Sequence, residues 1–339
     1  MPSESEYASA PSFTEQIEMP RRPFWPSLLL ALCSAFLVPT SPVHGQAAHR
    51  DILRAKFARD LQRVADGYAG VLGVASIDLS DSSNQAMVGV NKDMVFPQAS
   101  AIKIPILIEL YRRGDAEPGL LRARHTLTSA TRTGGSGVMG FFADGASEIA
   151  NEDLAVLMIT LSDNTATNFL IDVVGMEAVN RTMAGLGLRE TKLQRKMIRP
   201  DAQARGEENL STPAEAATVM ARLSRCALPL SRTACARVRQ VLELPKSESV
   251  RATVPESIRV ASKPGGMEAV ATSWALVDYP GRPFALAVMT NYGDTEAGGA
   301  AIREIARLAL DYYGKLARST PYGARVPLAV IERERSVRP

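Results

Sequence analysis

Histidine is nearly missing from this chain: only three occur in 339 residues, at positions 44, 49 and 125. A His-rich metal centre is thereby excluded. A Ser-His-Asp relay would rest entirely on His125, which lies in the charged run LLRARHTLT and reads as a surface residue. Lysine is scarce too, since only 8 of the 39 basic residues are lysines. Arginine keeps its proton in proteins, so chemistry that needs a free amine must fall on one of those few lysines. Charge of either sign is weakly in excess. The net value is +3, rising to +5 once residues 1–45 are removed, too mild for a nucleic-acid surface. Neither repeats nor low-complexity tracts occur.

What is present begins with a targeting segment. Arg21 and Arg22 precede the apolar run SLLLALCSAFLVP, which is too short to span a bilayer, and VHGQA offers small residues for cleavage after Gly45. Met19 would start a leader of ordinary proportions, so residues 1–18 read as an upstream extension. Residues 1–45 are therefore expected to be a signal peptide, and the mature chain periplasmic or secreted. Cys33 lies inside the leader, and LALC lacks the small residue that precedes a lipid-modified cysteine. Cys226 and Cys235, nine positions apart, are left to pair in an oxidising compartment if their geometry permits.

Residues 46 to about 66 carry an amphipathic helical pattern, followed by two β-rich runs, GVLGVASIDL and QAMVGVNKDMVF, separated by DSSN turn chemistry. From Ser100 to about Val250 the pattern is helical. There NEDLAVLMITL opens with an Asn cap, and TATNFLIDVVG closes on Gly175. Strands return in IRVASKPGG, ATSWALVDYP and PFALAVMTNY, and TEAGGAAIREIARLALDYYGKL supplies a long final helix. The predicted fold is α/β: an antiparallel five-stranded sheet flanked by terminal helices, with an all-helical region inserted between the strands. The cleft should lie where the two parts meet. The catalytic domain spans 46–316 and residues 317–339 form a tail.

One residue conflicts with this pattern. SAIKIPILIELY, from Ser100 to Tyr111, is apolar almost all round a helix, which places Lys103 in the core. An unpartnered ammonium there costs several kcal/mol, so it needs a partner or must lose its proton. Ser100 and Lys103, at i and i+3, share a helix face near its N-terminus, a geometry suited to a serine nucleophile with a lysine base. Alone, S-x-x-K is equally a lysine that snorkels from the helix. It is followed in order, however, by Ser162-Asp163-Asn164 and by Lys263-Pro264-Gly265.

With these three motifs the chain resembles class A β-lactamase-like serine hydrolases over about residues 50–316. The resemblance implies that Ser100 forms the acyl ester, Lys103 serves as its base, and Ser162 passes a proton to the leaving nitrogen. Asn164 helps to hold Lys103 and a substrate amide, and Lys263 lowers the pKa of Lys103 by its charge. The oxyanion lies between the backbone N–H groups of Ser100 and Gly266, with Gly265 beside them. Gly135, Ser136 and Gly137 admit two readings, a piece of cleft wall or a flexible surface loop. Asp163 and Asn168 read as scaffolding.

The chain departs from the family pattern in its loop. Class A enzymes carry a glutamate there that activates the water of deacylation, whereas this chain reads LQRKMIRPDAQARGEEN with Lys196 near that place. Asp201 is the best substitute among Asp201, Glu207 and Glu208, or else a residue that braces the loop. Pro264 also replaces the hydroxyl residue of K-[ST]-G, and ATSWALVDY carries no arginine for a substrate carboxylate. The expected activity is hydrolysis of a β-lactam or peptidoglycan-like amide by a monomer without cofactor or metal, with no nucleic-acid or membrane partner after leader cleavage. The alternatives are a cell-wall peptidase or esterase and a non-hydrolytic penicillin-binding protein.

Overall fold

The computed structural model describes residues 44–80, 87–320, 322–327 and 329–330, with side chains from residue 49 onward. Residues 1–43 of the expected leader, with Cys33, the DSSN turn and the last nine residues lie outside them. Helix α1 (His44–Gly67) leads into strands β1 (Val71–Asp78) and β2 (Val88–Val90). Helices α2 (Lys103–Ala116), α3 (Asn151–Thr160), α4 (Asn164–Val174) and α5 (Met176–Gly185) follow. After them come α6 (Pro200–Ala204), α7 (Pro213–Ser224), α8 (Arg232–Glu243) and α9 (Ser249–Thr253). Strands β3 (Val260–Met267), β4 (Val270–Val277) and β5 (Phe284–Asn291) then precede α10 (Thr295–Ala317).

The five strands form one sheet in the order β2-β1-β5-β4-β3, every neighbouring pair antiparallel. Side chains alternate between its two faces, and each face has its own core. In β5, Phe284, Leu286 and Val288 join the cluster under α1 and α10, while Ala285, Ala287 and Met289 join the helical cluster on the other side. Burial of a side chain of that size stabilises by about 1.5–3 kcal/mol, so covering both faces explains why the central strands read as continuous apolar runs.

Helix α2 is buried over its whole first half, from Lys103 to Tyr111. Its one buried carboxylate, Glu109, is met by Arg112 at 2.7 Å and by the Thr182 hydroxyl at 2.7 Å. Asp163 caps α4 by accepting from the Ala166 N–H at 2.9 Å, and Gly175 ends that helix at φ 79°. Cys226 and Cys235 are joined by a disulfide between the end of α7 and α8.

Three local expectations are corrected. Asn151 does not cap α3; Ala150 holds that position, and the Asn151 side chain is drawn inside, donating to the Leu120 carbonyl at 2.8 Å. His125 is not a free surface residue, because its Nε2 pairs with Asn151 Oδ1 at 2.8 Å and its ring lies on Phe169. The inserted region is not all helix. Short strand pairs join Arg124–Thr126 to Glu148–Ala150, and Phe96–Pro97 to Leu210–Ser211. The second pair sets the segment that carries Ser100.

Candidate active site

Ser100 is held by its neighbour two residues earlier. Gln98 is fully buried: its Nε2 donates to the Phe96 carbonyl at 2.8 Å, and its Oε1 accepts from Trp274 Nε1 at 2.8 Å. Its backbone N–H donates to the Asn209 carbonyl at 2.8 Å, and its carbonyl accepts from the Thr272 hydroxyl at 3.0 Å. The chain then turns through Ala99, a non-glycine residue at φ 45°. Such a conformation persists only where surrounding contacts enforce it. Ser100 therefore lies in a single 3-10 turn, Ala99–Ile102, and α2 proper starts at Lys103. Gly265 is required here because a Cβ on it would stand 2.5 Å from the Gln98 carbonyl oxygen and 2.8 Å from the Ala101 nitrogen. Its lack of a side chain lets edge strand β3 lie against the Ser100 turn.

Lys103 is wholly buried, and its Nζ reaches three acceptors: the Ser162 carbonyl at 2.8 Å, Ser162 Oγ at 3.1 Å and Asn164 Oδ1 at 3.0 Å. Lys263 comes from β3 on the other side, its Nζ donating to the same Ser162 Oγ at 3.1 Å and to the Pro264 carbonyl at 2.8 Å. Ser162 sits at φ 52°, which turns its hydroxyl between the two ammonium groups. The described lysines that form ion pairs are Lys92, Lys192, Lys196 and Lys315, so neither active-site lysine is neutralised that way. Burial, and then the charge of Lys263, hold Lys103 well below the usual lysine pKa, with Asp163 opposing. Burial, then Lys246, lowers Lys263 to about 7 against the opposing field of Glu248.

Two mutational results follow. Lys103→Ala is expected to slow acylation of Ser100 by at least about a hundredfold, the usual cost of losing a positioned base. It also strands the acceptors of Ser162 and Asn164, at about 1–3 kcal/mol each in stability. Acylation should rise with pH as Lys103 sheds its proton. Lys263→Ala removes the charge that assists that loss, so the rising limb should move to higher pH. Penicillin labelling rates across pH check this, and a limb that stays in place contradicts it.

The cleft between sheet and helices holds two adjoining cavities of about 280 and 360 Å³, sized for a small molecule. Both include Ser100, Ser136 and Gly266. Of the two readings of Gly135, Ser136 and Gly137, the structure adopts the wall. Asn164 donates its backbone N–H to the Ser136 carbonyl and its Nδ2 to the Gly134 carbonyl, both at 3.0 Å. Asp163 Oδ2 accepts from the N–H groups of Val138 and Met139, and a Cβ at Gly137 would lie 2.1 Å from that oxygen. Asp163 and Asn168 are scaffold, as expected; Asn168 Oδ1 accepts from the Met197 N–H at 2.8 Å.

The loop side carries no carboxylate into the cleft. Its contributors are Arg195, Met197, Ile198, Arg199, Pro200, Gln203 and Asn209. Lys196 is not among them, and it pairs with Asp172 at 2.6 Å. Asp201 is not placed at the site either. It is half exposed and doubly bonded to Arg199 at 2.8 and 2.6 Å, which holds its carboxyl far below the usual range and leaves it a weak base. Glu207 pairs with Arg205, and Glu208 with the buried Arg195. The sequence gives no local sign of Gln98, Trp274 or Glu248, each of which acts across long chain separations.

The chain is similar to known proteins in sequence and fold. The sequence model of the Beta-lactamase enzyme family matches residues 56–313. The chain belongs to this family. Within it, the fold and the three motifs make the protein a class A β-lactamase-like serine hydrolase. It is 29% identical over 259 residues to a β-lactamase of Streptomyces fradiae, covering 74% of this chain and 83% of that one. A β-lactamase from Sphaerobacter thermophilus superposes with a TM-score of 0.69 at 34% identity, covering 77% of this chain and 97% of that one. A variant of PBP-A, in an acyl-enzyme complex with penicillin G, superposes with a TM-score of 0.69 at 25% identity, covering 78% and 97%.

Proposed function

We propose that this β-lactamase family member is an exported, monomeric hydrolase that opens a β-lactam or related amide through an ester on Ser100, and that the ester forms faster than it is hydrolysed. The observation that carries this reading is the convergence of Lys103 and Lys263 on Ser162 Oγ beside Ser100, with no carboxylate among the loop residues of the cleft. Lys103, when neutral, takes the Ser100 proton as Oγ attacks the carbonyl carbon. Charge that develops on the carbonyl oxygen meets the N–H groups of Ser100 and Gly266, residues that line both cavities. The C–N bond then breaks, and the leaving nitrogen takes its proton through Ser162. Asn164 steadies Lys103 and the substrate amide.

The acyl-enzyme of the PBP-A variant with penicillin G supports an ester of the same kind here. Arg21, Arg22 and the apolar run at 27–39 support export, with cleavage after Gly45. The missing loop carboxylate favours a second reading, a penicillin-binding protein that acylates once. Mixing the purified protein with a chromogenic cephalosporin and recording its intact mass tests these readings. A single adduct with slow release of colour is expected, and the absence of both adduct and colour would defeat the proposal.

A further inference from the structure

The cavity that holds Ser162 and Lys263 has a second charged wall. Glu248, only 6% exposed, lines it together with Lys263, Pro264 and Gly265. Its carboxylate is fixed by four donors. Oε1 accepts from the Val250 N–H at 2.9 Å and the Ser273 hydroxyl at 2.6 Å, and Oε2 accepts from the Arg251 N–H at 2.6 Å and the Ser262 hydroxyl at 3.4 Å. Ser273 is the register partner of Pro264, and Ser262 lies two residues before it, so Glu248 sits on the sheet face that carries Pro264. These contacts include no cation. Lys246, whose field also reaches Lys263, donates instead to the Leu242 and Leu244 carbonyls at 2.6 Å and does not line the cavity.

Two threonines of this wall have spent their donors. The Thr272 hydroxyl donates to the Gln98 carbonyl at 3.0 Å, and the Thr295 hydroxyl to the Met267 carbonyl at 2.9 Å. Pro264 has no N–H, and Lys263 gives two of its three donors to Ser162 and the Pro264 carbonyl. A ligand group lying beside Pro264 therefore meets the carboxylate of Glu248, which has no cation among its hydrogen-bond partners. A free carboxylate placed there faces a like charge, whereas N–H groups or an ammonium find an acceptor.

We infer that Glu248 determines specificity on the leaving-group side. Substituents of the leaving nitrogen occupy the cavity in which Ser162 and Lys263 stand. The favoured substrates are thus amides or esters whose leaving side is neutral or cationic, such as an amide inside a longer chain, and those ending there in a free carboxylate are disfavoured. This rests on the ester at Ser100 proposed above. The test compares benzylpenicillin, its methyl ester and its 2-aminoethyl amide as probes, with the second-order rate of Ser100 acylation read by intact mass. In the unmodified protein the aminoethyl amide should react fastest and the acid slowest, with about tenfold between them. Glu248→Gln should raise the rate for the acid about tenfold and leave that for the ester within about twofold. Fastest reaction with the acid in the unmodified protein, or one common factor for all three probes in Glu248→Gln, overturns the assignment. Failure of every probe to label the folded protein overturns the ester itself, and this inference with it.

Discussion

Ser100→Ala is expected to abolish covalent labelling by penicillin, lowering the acylation rate by a factor on the order of 10⁶, the scale on which removal of a serine nucleophile acts. The expectation follows from the rigidity around the residue. Gln98, pinned by Trp274, Thr272 and Asn209, holds the Ala99–Ile102 turn, so no other hydroxyl takes the place of Ser100. Ser162 is the nearest candidate by function, but its Oγ is held between Lys103 and Lys263 and serves proton transfer. The fold should survive the change. Ser100 is half-buried, and the core interactions at this turn belong to Gln98, Ala101 and Ile102. Intact mass of the variant after exposure to penicillin, with thermal unfolding as a control, checks both points. Labelling at the full rate would remove Ser100 from the nucleophile's role.

Much of this site was legible in the sequence because its chemistry is encoded locally. Ser100 and Lys103 lie one turn apart, Ser162 and Asn164 flank a helix cap, and Lys263 precedes the glycines of an edge strand. The conflict between Lys103 and its apolar surroundings was itself a signal, and the structure resolves it with three acceptors and a lowered pKa. The strands of the two chain ends were legible through their length and β-branched content. What failed to show depended on distant partners. Asn151 reads as a cap until Leu120 and His125 claim its side chain. Asp201 is a local exception: the sequence leaves it a base or a brace of the loop, and Arg199, two residues away, takes both its oxygens. Gln98 and Trp274 are separated by 176 positions, and Glu248 reaches Ser273 from 25 positions away, distances at which local pattern carries no information. Pairings of that kind arise only once the sheet has brought its strands together.

The other large effect concerns the second chemical step. Ester formation calls on Ser100, Lys103, Ser162 and Lys263; both lysines meet Ser162 Oγ, and Ser100 lines one cavity with Ser162 and Lys263, whereas ester hydrolysis needs a base for water. The loop offers Arg195, Met197, Ile198, Arg199, Pro200, Gln203 and Asn209 to the cleft, and none of these takes a proton at neutral pH. Losing a general base costs about a hundredfold to ten-thousandfold, roughly 3 to 5 kcal/mol of barrier, and here the loss falls on deacylation. Asp201→Asn should leave both steps unchanged, since that carboxylate already belongs to Arg199. The most direct measurement is a pre-steady-state trace with a chromogenic cephalosporin at several enzyme concentrations. A burst equal to the enzyme concentration, then slow turnover with an adduct on Ser100, is the predicted result; fast linear turnover with no detectable adduct would contradict it.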